Sequence, residues 1–335
     1  MIGTGFWANY QIHAWKELDK VELVAVCDKN LEKAKQTALS HGIPRYYQDA
    51  VDLLEKESLD FVDIISSVSA HAPLVLMAAK AGVHVICQKP MGEDYATCQQ
   101  MVKACEKEGV KFFIHENFRF QSPIRAFKVL MEEGLIGKSF KGRLTFCSGF
   151  PVFDNQPTLA ELDRFIIIDL GVHILDMARF LFGEVERIYC QTQKINPKIK
   201  GEDVANILLT MKNGVNCFTE VSYASHLEEE TFPQTLILVE GNEGSIRLDK
   251  DYKITLSQKG MQSKQIFANP PHFSWVDPEY ALAHSSMVAC NRDILLDLLG
   301  ENQSENTGKE NLKTMELVFL SYESAFHNKV LTSHP

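Results

Sequence analysis

The length of 335 residues predicts two domains of ~100 to 200 residues each. A hydrophobic content of 45% and a charged content of 23% are typical of globular proteins and exclude a disordered or fibrous chain. The formal net charge of -10 comes without a basic stripe, which argues against a nucleic-acid partner and favours a small molecule.

The chain opens with a glycine-rich segment of the kind that binds dinucleotides. Gly3, Gly5 and Ala8 form a G-x-G-x-x-A pattern, which cradles a pyrophosphate when it joins a strand to a helix. Phe6 and Trp7 fill its variable positions and are predicted to line the same cofactor site. Only two residues precede Gly3, so we expect the native chain to begin with a longer strand.

The next predicted strand ends in an acidic residue. A helix over 8–18 and a strand over 21–27 follow the glycines, and Asp28 comes directly after that strand. An acid about 20 residues after the fingerprint binds the adenosine ribose hydroxyls and repels a 2'-phosphate. Asp28 could equally be a turn or capping residue for the following helix. Lys29 and Asn30 could soften the repulsion, so the sequence predicts NAD and leaves NADP open.

Strands and helices then alternate as far as residue 118. Helices are predicted over 31–41, 50–55 and 95–108, with an Ala- and Leu-rich helix ending near Gly82. Strands are predicted over 45–47, 61–65, 83–87 and 110–114. Such alternation predicts an α/β domain with a doubly wound parallel sheet, a Rossmann domain over residues 1–118.

A lysine follows one of these apolar strands directly. The segment 83–87 leads into Gln88, Lys89 and Pro90, and Pro90 disfavours helical conformation at the residue before it. Ligands of open α/β sheets bind at the carboxyl ends of the strands. Lys89 is therefore a candidate site residue, although a lysine at a strand end can also be a solvated charge.

The second half of the chain predicts a different class of domain. After a helix over 122–133, candidate strands lie over 140–147, 185–193, 204–211, 215–223, 234–240, 245–248 and 254–257. Short turns join several of them, which predicts an α+β domain over 119–335 with a large, mostly antiparallel open sheet. Helices over 289–299 and 310–327 end the chain. The exposed face of such a sheet predicts a homodimer or homotetramer.

One predicted helix, 166–182, carries ionisable residues on an apolar background. Asp169, His173 and Asp176 are spaced by four and three, so they share one face of the helix. Burying a charged group is costly unless the group is paired or has a function. Three explanations for this cluster remain open. The histidine is a core residue between two carboxylates, or it is catalytic, or the group binds a metal, although no second cluster supplies further metal ligands.

Cysteine usage and hydropathy indicate the compartment. Eight cysteines occur without a C-x-x-C pair, which predicts reduced thiols and neither a disulfide framework nor a zinc site. No apolar segment reaches the ~18 residues of a membrane span, and no signal peptide is recognisable. We therefore expect a cytoplasmic protein without a membrane partner.

The motifs together resemble those of the Gfo/Idh/MocA oxidoreductases, the family of glucose-fructose oxidoreductase and inositol 2-dehydrogenase. The family's E-K-P resembles Gln88-Lys89-Pro90, and its D-x-G-x-H-x-x-D resembles the segment from Asp169 to Asp176. Together with the glycine-rich segment, these motifs occur in the family's order along nearly the whole chain. The resemblance implies an NAD(P)-binding first domain and a substrate-binding second domain. We expect no metal, because no second cluster of ligands is present.

This sequence departs from the family pattern at two positions. The family's Thr-Pro-Asn-x-x-His resembles Ser66-Ser67-Val68-Ser69-Ala70-His71, which keeps the histidine and changes the middle. Gln88 stands where the family has glutamate, and an amide cannot stabilise an ammonium group by charge. By resemblance, Ser66, His71, Gln88 and Lys89 line the cofactor site. The change at Gln88 implies a cofactor contact that differs in detail or a loss of activity.

By resemblance, the substrate is a sugar, polyol or related hydroxy compound, with an aldose dehydrogenase for a pentose or branched sugar as one candidate. Lys89, Asp169 and His173 are expected to contact the substrate. Further residues expected to recognise its hydroxyl groups are Arg119, Phe153, Asp154, Gln156 and Arg164. All but Arg119 lie in the connection that precedes the helix of His173. Two other functions remain open: a reductase of non-sugar substrates like dihydrodiol dehydrogenase, and a non-catalytic dinucleotide sensor.

The predicted chemistry assigns a role to each of three residues. His173 is the expected base that accepts the hydroxyl proton, because imidazole titrates near neutral pH. Asp169 would orient the pair or bind the substrate, and Lys89 would hold the substrate oxygen. The reverse assignment, with Lys89 as the base, stays open.

Overall fold

A computed structural model describes residues 1–333, which group into two compact units. Unit 1 comprises Met1–Asn117, Phe273–Val276 and His284–Met315, and unit 2 comprises Phe118–His272, Asp277–Ala283 and residues 316–333. The sequence-based division assigned everything after residue 118 to the second domain, whereas the contacts group 273–276 and 284–315 with unit 1. Residues 334 and 335 of that predicted domain lie outside the described residues.

Unit 1 is built from alternating strands and helices. Its strands are β1 (Ala25–Cys27), β2 (Arg45–Tyr47), β3 (Phe61–Ile64), β4 (His84–Gln88) and β5 (Phe112–His115). Its first helices are α1 (Phe6–Lys16), α2 (Leu31–His41), α3 (Ala50–Lys56), α4 (Val68–Lys80) and α5 (Tyr95–Glu108). Local signals set the helix ends: the Asp94 side chain accepts the Thr97 N–H at the start of α5, and Gly109 ends it in the left-handed conformation.

The strands β1 to β5 of unit 1 all pair in parallel. β1 pairs with β2, and β3, β4 and β5 pair in that order. Ile2 forms parallel bridges to Cys27 and to Ile64, so the start of the chain lies between β1 and β3. The strand order reverses at Ile2, and ligands of such sheets bind at a reversal point, outside the carboxyl ends. The predicted Rossmann-type sheet is confirmed.

Unit 2 is built around a broad sheet. Its strands are β6 (Ser139–Cys147), β7 (Val185–Gln193), β8 (Val204–Met211), β9 (Asn216–Ser222), β10 (Leu236–Gly241), β11 (Gly244–Leu248), β12 (Lys253–Gln258), β13 (Lys264–Phe267) and β14 (Leu331–Thr332). Its helices are α6 (Ser122–Glu132), α7 (Val152–Asn155) and α8 (Val172–Phe182). Two further helices, α9 (Ala281–Leu298) and α10 (Gly308–His327), contain residues of both units.

The nine strands of this sheet follow the order β13-β12-β11-β10-β6-β9-β8-β7-β14. All neighbours are antiparallel except β6 and β9, which run parallel. In β8, Ala205, Ile207 and Leu209 are buried while the residues between them face outward, which is the alternation of a sheet covered on one face. The predicted mostly antiparallel open sheet is confirmed.

The differences from the predicted elements have local causes. All four residues of β13 are exposed, so this strand carries no apolar alternation to predict it. Helix α9 begins at Ala281, earlier than the predicted residue 289. The prediction began too late because the first turns of the helix include the polar residues His284, Ser285 and Ser286, which are buried but carry no apolar pattern. None of the helices within residues 1–333 is both long enough and apolar enough to cross a membrane.

Candidate active site

In unit 1, the chain turns sharply between its first bridge and α1, at a glycine that no other residue can replace. Gly3 has a φ of +99°, in the region that only glycine adopts without strain. A Cβ atom at Gly3 would lie 1.9 Å from the carbonyl oxygen of Ile65. The turn therefore brings the chain directly against the carboxyl end of β3.

The second glycine leaves the N-terminus of α1 open. Gly5 is the residue before the helix, and no side chain caps the helix there. A Cβ atom at Gly5 would have no other atom within 4 Å, so the protein leaves space at this point. The positive end of a helix dipole facing open space is a binding site for an anion such as a pyrophosphate. This part of unit 1 fits an NAD molecule.

Asp28 lies at the carboxyl end of β1, beside this turn. Its Oδ2 accepts hydrogen bonds from the backbone N–H of Thr4 at 2.9 Å and from the Thr4 hydroxyl at 2.8 Å. Its Oδ1 accepts from the Asn30 N–H at 2.9 Å. Burial acts to raise the pKa of Asp28, but these hydrogen bonds and the nearby charge of Lys33 hold that pKa below its ordinary value. The capping residue of α2 is Asn30, so the helix does not use Asp28 as its cap.

His71 connects the ends of two strands. Its Nδ1 lies 3.0 Å from the carbonyl oxygen of Pro90, and its Nε2 lies 3.2 Å from that of Ser66. The ring is 1% exposed, and burial lowers its pKa although the neighbouring carbonyl groups act in the other direction. His71 therefore ties the segment after β3 to the segment after β4.

Lys89 follows the last residue of β4, at the same edge of the sheet as Asp28 and Ser66. Gln88 and Lys89 are half-buried, and the peptide bond between Lys89 and Pro90 is cis. Gln88 pairs with His115 of β5 across the sheet. Unit 1 thus places the cofactor candidates and Lys89 along one edge, as the carboxyl ends of parallel strands require.

In unit 2, the helix predicted over 166–182 begins with a widened turn. The residues Ile167–Gly171 form a π-helical turn, and α8 continues from Val172. Asp169 lies half-buried in the π turn, and His173 is 4% exposed in the first turn of α8. The imidazole of His173 stacks on the ring of Phe118, with centroids 3.7 Å apart and planes at 6°. π turns occur frequently at functional sites.

Asp176, the third ionisable residue of this helix, has a different partner. The Arg119 guanidinium donates to it twice, from Nε to Oδ2 at 2.8 Å and from Nη2 to Oδ1 at 2.6 Å. The two side chains are only 10% and 1% exposed. This bidentate pair neutralises the buried carboxylate of Asp176, and the role of Arg119 in binding substrate hydroxyls stays a prediction.

The other candidates for binding substrate hydroxyls lie in the connection that precedes the helix of His173. Phe153 lies in α7, with its ring 5.3 Å from that of Phe165. Asp154 is exposed, and Gln156 is a half-buried residue that ends α7. Arg164 is also exposed, and its guanidinium lies 5.0 Å from the Tyr322 ring centroid. That these four residues bind substrate hydroxyls stays a prediction.

The sequence analysis did not single out two tyrosines of unit 2: Tyr223, which interacts electrostatically with Asp169, and Tyr280, which interacts electrostatically with Tyr223. Tyr223 follows β9, stacks on Phe165 and has its pKa raised well above the ordinary value by burial, by Asp169 and by Tyr280. The hydroxyl of Tyr280 accepts a hydrogen bond from Asn155 at 3.1 Å. A polar residue at a strand end is the signal that identified Lys89, and it could have identified Tyr223 in the same way.

The described part of the chain contains no candidate metal site. Within residues 1–333, no three His, Cys, Asp or Glu side chains are grouped so that they could hold a metal ion. A glycine turn at a helix N-terminus, an acid at the end of β1 and a lysine at the end of β4 are the features of a nicotinamide-dependent oxidoreductase. Fold and site define this class of enzyme.

Comparison with known proteins gives the family. Residues 1–116 match the model of an oxidoreductase family with an NAD-binding Rossmann fold, and residues 124–247 match the GFO/IDH/MocA C-terminal domain. The chain belongs to the Gfo/Idh/MocA family of NAD-dependent oxidoreductases. The resemblance, the NAD cofactor and the enzymatic nature predicted from the sequence are thereby confirmed.

Several relatives match over nearly the whole chain. A D-apiose dehydrogenase of Paraburkholderia graminis is 43% identical over 97% of this chain and 86% of its own length. A D-apiose dehydrogenase of Rhizobium rhizogenes is 42% identical over 99% of this chain and 96% of its own length. The crystal structure of an Agrobacterium radiobacter oxidoreductase in complex with NAD+, L-tartaric acid and magnesium matches with a TM-score of 0.96 and 41% identity, covering 99% of this chain and 96% of that chain.

Proposed function

We propose that this protein is an NAD-dependent aldose dehydrogenase that oxidises D-apiose or a closely related branched sugar or pentose. The observation that carries the proposal is the identity of 42% and 43% to two D-apiose dehydrogenases over nearly the full chain. The turn at Gly3, the open helix terminus at Gly5 and the ionised Asp28 support NAD as the cofactor. Lys29 follows the acid and offsets part of its repulsion of a 2'-phosphate, so NADP is the second cofactor to be tested.

Three residues perform the proposed chemistry. When bound, the nicotinamide supplies the acceptor for the hydride that leaves the carbinol carbon. His173 accepts the proton of the same hydroxyl group, so that the substrate becomes a carbonyl compound and one proton is released. Lys89 donates a hydrogen bond to the reacting oxygen and stabilises its developing negative charge. Asp169, in the turn before His173, binds the substrate or orients the imidazole. The opposite assignment, with Lys89 as base, uses the same residues.

The surroundings of Asp169 support a substrate subsite in unit 2. The phenol of Tyr223 is protonated at neutral pH, as a tyrosine ordinarily is, and its pKa is raised further by burial and by Asp169, so it can donate a hydrogen bond to a sugar hydroxyl. Phe118 lies flat against the imidazole of His173 and fixes the plane of the ring. A fixed, partly buried base is what proton transfer in a defined direction requires.

A direct assay tests the proposal. The purified protein is incubated with NAD or NADP and a panel of D-apiose, other pentoses, hexoses, lactones and cyclitols, and the absorbance of the reduced cofactor is followed. We expect the highest kcat/KM with NAD and D-apiose. Absence of cofactor reduction with every aldose would contradict the proposed function.

The aromatic character of unit 2 favours a second candidate, a dehydrogenase of aromatic diols. Phe150 and Phe232 stack with centroids 3.9 Å apart, and Tyr280 contacts both rings. The mouse trans-1,2-dihydrobenzene-1,2-diol dehydrogenase is 26% identical to this chain over 75% of its length. Adding aromatic trans-dihydrodiols to the same panel separates the candidates, because they lack the hydroxyl pattern of a sugar.

We propose further that the protein is a cytoplasmic homodimer or homotetramer. All eight cysteines are free thiols, which fits a reducing compartment. On the outward face of the unit 2 sheet, Leu208 and Phe218 are cross-strand partners and are 36% and 39% exposed. An apolar pair on neighbouring strands of an open sheet face favours association with a second copy.

A further inference from the structure

The helix that carries Asp169 and His173 begins deep inside unit 2. Its first residue, Ile166, is 0% exposed, as are Phe165 and Ile167. The first N–H groups of a helix have no partner within the helix, and such groups cannot remain unbonded in the interior without a cost in stability. No side chain of the segment itself caps the start of the π turn. The partners must come from elsewhere in the chain.

Glu202, two residues before β8, supplies most of these partners. Its carboxylate accepts hydrogen bonds from the N–H of Phe165 and of Ile167, each at 3.2 Å. Its backbone carbonyl accepts the N–H of Ile166 at 3.1 Å. A carboxylate is also the favourable charge at the positive end of a helix.

Tyr322 of α10 completes the cap. Its hydroxyl accepts the N–H of Ile168 at 3.1 Å and donates to Oε1 of Glu202 at 2.9 Å. Burial, followed by the neighbouring charge of Glu202, raises the pKa of Tyr322 far above its ordinary value. The phenol therefore keeps its proton and donates a hydrogen bond to the carboxylate.

The segment before β8 is shaped for this close approach. A Cβ atom at Gly201 would lie 2.8 Å from the carbonyl oxygen of Leu162 and 3.0 Å from the Phe165 nitrogen, so a larger residue would push the segment away. Asp203 accepts the N–H groups of Ile195 and Asn196 at 2.7 and 2.8 Å, which fixes the loop on the other side. The residues on both sides of Glu202 are thus fixed in position.

We propose that Glu202 and Tyr322 are positioning residues of the active site, which hold the π turn so that Asp169 and His173 present their side chains in the catalytic arrangement. A π turn contains more residues per turn than an α turn and is the rarer conformation. If the four capping hydrogen bonds are lost, the turn relaxes toward α geometry, and Asp169 rotates relative to His173. The inference rests on the proposed dehydrogenase function and adds the groups that position its base.

Two variants remove parts of the cap by different routes. Tyr322→Phe deletes one hydroxyl, and Gly201→Ala displaces the Glu202 segment without removing a hydrogen-bonding group. Tyr189→Phe is the matched control, because the Tyr189 hydroxyl also donates a hydrogen bond in unit 2, to Asn328 at 2.6 Å. All three full-length variants are compared with the unmodified protein well below their unfolding temperatures.

The first readouts need no substrate. In Tyr322→Phe and Gly201→Ala, we expect faster hydrogen exchange of the amides of 165–168 and a changed imidazole resonance of His173 in histidine-labelled protein. In Tyr189→Phe, both should equal those of the unmodified protein. Unchanged exchange and an unchanged His173 resonance in both cap variants would overturn the proposal, whether or not a substrate is known.

The kinetic readout tests the consequence for catalysis. We expect kcat for the best aldose to fall about 10-fold in both cap variants, while the KM for NAD stays within about twofold. A loss of kcat that merely follows the loss of folded protein, with an unaltered His173 resonance, would assign the cap to stability alone. If the unmodified protein oxidises no aldose, the proposed function fails, and the exchange and resonance data still decide whether the cap positions His173.

Discussion

The carboxylate of Asp28 binds both the backbone N–H and the hydroxyl of Thr4, at 2.9 and 2.8 Å. These bonds tie the end of β1 to the glycine turn that leads into α1. They also hold the pKa of Asp28 below its ordinary value, against the effect of burial. A negative charge is therefore fixed where the adenosine ribose of NAD is bound in Rossmann domains.

Replacement of Asp28 should change the choice of cofactor. In Asp28→Ser, the charge that repels a 2'-phosphate and an acceptor for the ribose hydroxyls are both lost. We expect the ratio of kcat/KM with NAD to that with NADP to fall by about 10-fold or more. The two cofactors are compared in the aldose assay.

Asp49→Ser is the matched control for this prediction. Asp49 caps α3 by accepting the Val51 N–H at 2.8 Å, so its replacement removes an equivalent charge and a comparable hydrogen bond. The cofactor ratio should stay at the value of the unmodified protein. If the unmodified protein already prefers NADP, the role given to Asp28 is wrong.

Lys89 and His173 should be required for turnover and dispensable for NAD binding. Proton transfer by a positioned residue contributes ~10²- to 10⁴-fold to the rate, so Lys89→Ala and His173→Ala should each lower kcat by that order. NAD affinity, measured by titration in the absence of sugar, should stay near normal.

Exposed residues of the same types serve as controls. Lys80→Ala and His272→Ala change residues on the surface and should leave kcat unchanged. If Lys89→Ala and His173→Ala both retain substantial activity on the best substrate, the proposed active site is misplaced.

Arg119 should contribute to stability. Arg119→Ala leaves the carboxylate of Asp176 buried without its bidentate partner, and breaking such a pair costs about 3–5 kcal/mol in the free energy of unfolding. The double variant Arg119→Met with Asp176→Leu removes both charges and should be less destabilised than the single variant. Denaturant unfolding measures both, and equal losses in the two proteins would argue against the pair.

His84 should make the protein less stable in acid. Burial, and then the charge of Lys111, lowers the pKa of His84, although Asp60 and Asp297 act in the opposite direction. The unfolded chain, with an ordinary histidine pKa of about 6.5, therefore binds more protons than the folded chain below that pH. The contribution of His84 is fully present above pH ~6.5 and is lost as the pH falls through that value toward the lowered folded-state pKa.

The variant His84→Asn isolates this effect. The Nδ1 atom of His84 accepts the Lys111 N–H at 3.1 Å, and an asparagine side-chain oxygen can accept the same bond without titrating. Between pH 7.5 and pH 5.5, the unfolding midpoint of the unmodified protein should fall further than that of the variant. Parallel pH dependences in the two proteins would refute the prediction.

The outward face of the unit 2 sheet should be an interface between copies. A stable interface of this kind buries more than ~1,000 Å², so the copies should stay associated at micromolar concentration. Light scattering at that concentration should therefore give the mass of a dimer or tetramer. Leu208→Lys combined with Phe218→Lys should lower the measured mass. Phe326→Ser, which changes an 86% exposed residue of α10, should leave it unchanged. A monomeric mass for the unmodified protein would exclude this assembly.

Much of the fold could be predicted from the sequence because its signals are local. Helix α5 and strands β7 and β8 begin and end at the residues predicted for them. Capping residues, glycines at helix ends and alternating apolar positions act within a few residues of each other. The glycine turn, Asp28, Lys89 and His173 were recognisable for the same reason, since each follows or interrupts a clear periodic pattern.

The partners of these residues were decided by the tertiary structure. Arg119 meets Asp176 across 57 positions of the chain, and Tyr322 meets Glu202 across 120. No pattern within a single element encodes such a pair, because its energy arises only when separate segments bury their polar groups against each other. The same reason explains the polar but buried start of α9 and the grouping of 284–315 with unit 1. The sequence by itself determined which elements form and which residues carry the chemistry, and only the packed chain decided what holds those residues in place.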